Sequence, residues 1–226
     1  RKRNRKQTKF TPKPCDCNNP PVNKITPPKI TTTTQDSGGV NMTSMKGFAS
    51  NNLMLLLDVS GSMASKNKLP LLKTAFKNLV DIMRPEDEVS VVVYAGDASV
   101  VLKPTSANQA DMIKEVINKL RAKGQTDVKK GFKLAYKWMS KNYKEGGNNR
   151  IILATDGEFP ISNYIYKLVR KRAEKGVYLS VFSFGSKKKF DSLQKLVEKG
   201  QGNYEHVDES NVQYKLVKEA QSIKKK

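Results

Sequence analysis

The stretch from Leu53 to Met63, LMLLLDVSGSM, restricts the possible folds more than any other part of the chain. It opens with an unbroken apolar run, Leu53 to Leu57, and turns polar at Asp58. A run this short, bounded by turn residues, reads as a strand buried on both faces. Strands of that kind belong to parallel sheets with helices on each side. Asp58, Ser60 and Ser62, spaced Asp-x-Ser-x-Ser, therefore stand where a central strand leaves its sheet. In open α/β sheets, ligands bind just beyond the carboxyl ends of the strands. A carboxylate and two hydroxyls on one tight loop are hard oxygen donors, suited to a small divalent cation such as Mg²⁺.

The chain has 226 residues, enough for one medium domain and a tail. No apolar stretch approaches the roughly 18 residues of a membrane helix. It begins at Arg1, not Met, so a preceding segment such as a signal or an anchor helix is expected. Lys and Arg number 42 against 21 acids, for a net charge of +21. Such a charge attracts nucleic acid, anionic lipid or acidic proteins. The lysines look scattered over several helices, without the interleaved aromatics of a single-strand groove, so nucleic acid is disfavoured. Cys15 and Cys17 make neither a disulfide framework nor a four-ligand zinc site. The single His206 excludes a multi-histidine metal centre.

Residues 1–49 read as a basic, Pro- and Thr-rich arm, too polar to offset the entropy of ordering. Residues 50–226 read as one folded domain in which strands and helices alternate. A helix is expected over 66–83, with Leu69, Leu72, Phe76, Leu79 and Met83 on one stripe. Val89–Ala95 is a β-branched strand. Ser99–Leu102 follows across the turn Gly96-Asp97, too closely for a crossover helix, so it must pair antiparallel. Pro104 suits an edge strand. Further helices are expected over 107–121, carrying Met112, Val116 and Leu120 with Ile113 and Ile117 beside them, and over 128–143, carrying Phe132, Ala135, Tyr136, Met139 and Tyr143. The strand Arg150–Thr155 again ends in an aspartate, Asp156, and further helix–strand units complete the chain. The expected fold is a doubly wound, Rossmann-like three-layer α/β sandwich. Its six-stranded sheet is mostly parallel, with one antiparallel edge strand.

Asp156 leaves a strand that can neighbour the first one at the switch point, and Thr126 lies in a Gly-x-Thr-Asp loop just before a helix on the same rim. Asp58, Ser60, Ser62, Thr126 and Asp156 then offer five oxygens, which with one water make the octahedron that Mg²⁺ or Mn²⁺ demands. Gly61, Gly124, Asp127 and Glu158 flank the set on the same rim.

Asp-x-Ser-x-Ser, a later Thr, and an Asp in Thr-Asp-Gly make 50–226 resemble the von Willebrand factor A domain with its metal-ion-dependent adhesion site. Stretches such as NKLPLLK, RPEDEVSVVVYAG and NRIILATDGEF resemble bacterial members most. The resemblance implies that Ser60 and Ser62 bind the metal (Mg²⁺, or Mn²⁺ or Ca²⁺) directly. Thr126 and Asp156 bind directly or through water. It implies binding rather than catalysis, with an acidic side chain of a partner protein completing the metal's shell and Gly61, Gly124, Asp127 and Glu158 as the partner-binding rim. The bacterial envelope is the expected location, although cytosolic members exist. Two alternatives remain. One is an Mg²⁺-dependent phosphoryl-transfer or hydrolytic enzyme using Asp58, disfavoured because Ser60 stands where a second carboxylate is expected. The other is attachment of the basic arm to nucleic acid or an anionic surface.

Overall fold

The computed structural model describes residues 40–124, 127–157, 159–185 and 190–223. The chain clusters into two units, 1–37 and 38–226, and the first lies outside the described residues. The second is built on six strands: β1 (Asn51–Asp58), β2 (Glu88–Tyr94), β3 (Ala98–Ser106), β4 (Asn148–Thr155), β5 (Val177–Ser183) and β6 (Tyr204–His206). They form one sheet in the order β3-β2-β1-β4-β5-β6. Every pairing is parallel except β2 with β3, at the edge. Among the described residues the α-helices are α1 (Leu69–Ile82), α2 (Ala110–Lys119), α3 (Val128–Lys141), α4 (Asn163–Ala173), α5 (Asp191–Gly200) and α6 (Val212–Ala220).

β1 shows why the sheet must be covered twice. Leu53, Leu55 and Leu57 enter one core with α1, α2 and α6, and Met54 and Leu56 enter the other with α3, α4 and α5. Residues along a strand alternate in face, so an all-apolar strand is stable only between two helical layers. β4 repeats the pattern, with Ile152 and Ala154 on the first face and Ile151 and Leu153 on the second.

Several expectations are corrected. Residues 40–49, assigned to the arm, pack on the domain. Met45 is buried, Ala49 N–H donates to the Ile223 carbonyl at 2.8 Å, and the Gln221 side chain donates to the carbonyls of Asn41 and Ser44. The helix expected from 66 starts at Leu69, because Gly61–Ala64 first forms a 3₁₀ turn that buries Met63. In α2, Ile113 and Ile117 face the core while Met112 is exposed. A 3₁₀ turn at Ala107–Gln109, capped by Ser106, sets the helix phase. Tyr143 lies beyond the end of α3 and is exposed. β3 is longer than expected and holds Pro104 inside it. Lys103 and Pro104 together oppose Ser90 in a bulge, where a missing N–H breaks no ladder bond.

Candidate metal centre

β1 and β4 are neighbours where the strand order reverses, and their register sets Leu57 beside Ala154. Asp58 and Asp156 therefore leave the sheet at almost the same height. Asp58 is 3% exposed. Its Oδ1 accepts the Ser60 backbone N–H at 2.8 Å, which folds the loop tightly back on the carboxylate. Its Oδ2 lies 3.4 Å from the Thr155 hydroxyl. Ser60 Oγ is 3.1 Å from Ser62 Oγ, and Ser62 Oγ donates to Asp156 Oδ1 at 3.0 Å. Four of the five expected ligands thus form one contiguous set.

Thr126 and Glu158 lie outside the described residues. The chain on both sides of Thr126 is held at this rim. Lys123 N–H donates to Val59 O at 2.6 Å, Gly61 N–H to Gly124 O at 3.2 Å, and Asp127 N–H to Ala95 O at 2.6 Å. Gly124 has φ +102°, and a Cβ there would sit 3.3 Å from Ala95 Cβ, so glycine is required where this loop crosses the one after β2. Asp127 caps α3, its carboxylate accepting the Lys130 N–H, which gives this rim acid a structural task. Gly61 is exposed beside Ser62.

Two neighbours of the set lie outside Asp-x-Ser-x-Ser and Thr-Asp-Gly. Lys68, at the start of α1, places its ammonium 2.7 Å from Asp156 Oδ2 and donates to the Ser62 carbonyl at 3.0 Å. Asp156 is therefore held by Ser62 on one oxygen and by a lysine on the other. Tyr94 is fully buried behind Asp58 and Thr155, and its hydroxyl makes no hydrogen bond of ordinary geometry. Burial, then the Asp58 charge, hold the Tyr94 phenol well above its ordinary pKa, so it stays neutral. Burial also pushes the Asp58 carboxyl up. Hydrogen bonds from Ser60 partly reverse this, and the Asp156 charge adds a smaller push.

Two carboxylates and two hydroxyls converging on one point fit a hard divalent cation. Among the described residues no group of three or more His, Cys, Asp or Glu side chains gathers, so nothing there resembles a zinc site of nitrogen and sulfur donors. Sheet order, rim position and donor set agree with the resemblance carried by the motif. The family model for the von Willebrand factor type A domain matches residues 53–158, from the core of β1 to the loop after β4. This is a von Willebrand factor type A domain.

The A domain is 38% identical over 162 residues to the uncharacterized protein YfbK of Escherichia coli (strain K12), covering 70% of this chain and 28% of that protein. The chain thus spans under a third of that relative's length. Among solved structures, an aerotolerance-related membrane protein from Bacteroides fragilis NCTC 9343 superposes with a TM-score of 0.62 at 23% identity, covering 76% of this chain and 99% of that one. Proximal thread matrix protein 1 from the mussel byssus, with a zinc-occupied metal-ion-dependent adhesion motif, superposes with a TM-score of 0.61 at 20% identity. That match covers 79% of this chain and 46% of the mussel chain. At these identities both structures speak to the fold.

Proposed function

We propose that the A domain is a divalent-metal-dependent protein-binding module whose metal takes an acidic side chain of a partner protein as a ligand. The observation that carries this reading is the contiguous set Asp58, Ser60, Ser62 and Asp156 on an open rim of the sheet. Mg²⁺ is the favoured ion, with Mn²⁺ and Ca²⁺ as substitutes, since all take oxygen donors. Thr126, in the loop between the held residues Gly124 and Asp127, would supply a further hydroxyl. The occupied metal motif of the mussel protein supports a divalent ion at this place in the fold. A metal held by few carboxylates stays electrophilic, and a partner's Asp or Glu completes its shell. The net charge of +21 speeds encounter with an acidic partner.

Binding is favoured over phosphoryl transfer because Ser60 offers a hydroxyl, not a second carboxylate, two residues after Asp58. The Bacteroides fragilis neighbour is an aerotolerance-related membrane protein, which supports a place at the cell envelope. Among the described residues, no helix is long and apolar enough to cross a membrane. The test is affinity capture by the immobilised chain in Mg²⁺ and in chelator, with D58A alongside. Proteins retained by wild type in Mg²⁺ alone, and not by D58A, are the expected result. Equal retention in chelator, or by D58A, would sink the proposal.

A further inference from the structure

The outward faces of α3 and α4 carry one sign of charge. α3 exposes Lys129, Lys130, Lys133, Lys137 and Lys141. α4 exposes Lys167, Arg170 and Lys171, with Arg172 half-buried beside them. Neither helix contains an acidic residue. The two pack side by side on one flank of the sheet, so lysines that look scattered along the chain are gathered into one surface. Among the described residues only two of these cations have an ion pair: Lys130, with Asp97 and Asp127, and Arg170, with Glu174. The helices of the opposite layer differ. There Lys114 pairs with Asp81, Lys119 with Glu115 and Lys215 with Glu205.

Aromatic rings are set among the cations. Lys133 Nζ lies 5.3 Å from the ring centre of Tyr164, which is 49% exposed. Lys141 Nζ lies 5.7 Å from the ring centre of Trp138, and exposed Tyr143 follows the helix. Near the end of α4 a recess of about 200 Å³ is lined by Ser140, Tyr143, Arg172, Lys175 and Val177. The Nε–H of Arg172 is buried without an acceptor. Arg172 and Lys175 put two positive charges on the wall of this open recess, which suits an anionic oxygen there.

We propose that this α3–α4 face docks on an anionic lipid bilayer, with a headgroup phosphate entering the recess at Arg172. Lysine outnumbers arginine on the face, which suits diffuse attraction to a charged plane more than bidentate reading of bases. Tyr and Trp at both ends of a basic surface match the amphipathic rings that settle at headgroup level. α3 is about 21 Å long at 1.5 Å per residue and runs down the flank from its cap at the rim. Docking on that flank leaves the metal rim open to a protein partner, and the inference does not depend on the metal reading.

The test is co-sedimentation of the full chain with vesicles of one part phosphatidylglycerol to three parts phosphatidylcholine, against pure phosphatidylcholine, at 100 mM salt. Binding to the anionic vesicles alone is expected. Each lysine near a charged surface contributes about a fivefold change in partitioning, so K133E/K137E/K171E should lower it about a hundredfold or more. These side chains are exposed, and an unchanged melting temperature shows that the variant is folded. R172Q should lower partitioning several-fold with no other charge altered. R3Q/R5Q/K6Q, in the basic arm, and D58A, at the metal centre, should bind as wild type does. Absence of binding to anionic vesicles overturns the proposal, as does loss that follows the arm variant instead of the face variant. Tighter, face-dependent binding of a DNA duplex at the same salt overturns it in favour of nucleic acid.

Discussion

Asp58 is buried at 3% exposure, and Asp156 nearby adds its charge to the burial that raises the Asp58 pKa. A carboxyl whose folded pKa lies above its unfolded value stabilises the fold in its protonated form. That contribution is complete below pH 3.8, the unfolded value, and is lost as pH rises through the folded value. At neutral pH the ionised group is a strain on the metal-free protein. Asparagine keeps an oxygen for the Ser60 N–H and removes the charge. D58N should therefore raise metal-free stability by about 1 kcal/mol, or roughly 2–4 °C in Tm for a domain of this size, while abolishing metal binding. Calorimetric melts in chelator check the first outcome. Lys68 works against the metal in a different way, because its ammonium already neutralises Asp156. K68Q should tighten Mg²⁺ binding about tenfold, the order expected for removing one positive charge a few ångströms from a divalent ion near a surface. Weaker binding would mean that Lys68 holds Asp156 in place for the metal. The grouping of Asp58, Ser60, Ser62 and Asp156 was legible because Asp-x-Ser-x-Ser and Thr-Asp-Gly are fixed in spacing. Lys68 and Tyr94 fall in the family-like stretches NKLPLLK and RPEDEVSVVVYAG, but their place beside the site was not legible, because they reach it through strand register and loop closure.

At the scale of elements, the apolar runs of β1 and β4 were legible because each is buried on both faces and needs no periodicity to be seen. The phase of α2 was not, since Met112 and Ile113 are equally apolar and only the 3₁₀ turn before the helix decides which faces inward. α6 is held by groups the sequence pattern hides. Glu219, 1% exposed, accepts from the buried Arg150 guanidinium at 2.8 Å, from Ser180 Oγ at 2.8 Å and from Asn203 Nδ2 at 2.8 Å. Removing one partner of a buried pair leaves an uncompensated charge. E219A should therefore destabilise the domain by about 3–5 kcal/mol in urea unfolding. R150M/E219L, which removes both charges and fills the space, should recover most of that loss. Full destabilisation in the double variant would mean that the surrounding polar network, not the charge, holds α6. The packing of residues 40–49 against the end of α6 also escaped the sequence, because Val40, Met42, Met45, Phe48 and Ala49 follow no helix or strand period and only Met45 and Ala49 are buried.

At the scale of the molecule, alternating strands and helices made the three-layer architecture readable, and the short Gly96-Asp97 turn located its one antiparallel edge. The charge distribution was readable only as a total. Its concentration on α3 and α4 depends on which helices the sheet places side by side. The same global view predicts the effect of the metal on stability. A ligand that binds only the folded state stabilises by RT ln(1 + [L]/Kd), about 2.7 kcal/mol at one hundred times Kd. Saturating Mg²⁺ should raise Tm by roughly 5–10 °C in wild type and leave D58A unmoved. The most direct measurement is calorimetric titration of Mg²⁺ into chelator-treated protein, with D58A in parallel. One saturable site in wild type, absent in D58A, is the predicted result. No saturable heat in wild type, or an equal isotherm in D58A, would contradict a metal centre built on Asp58.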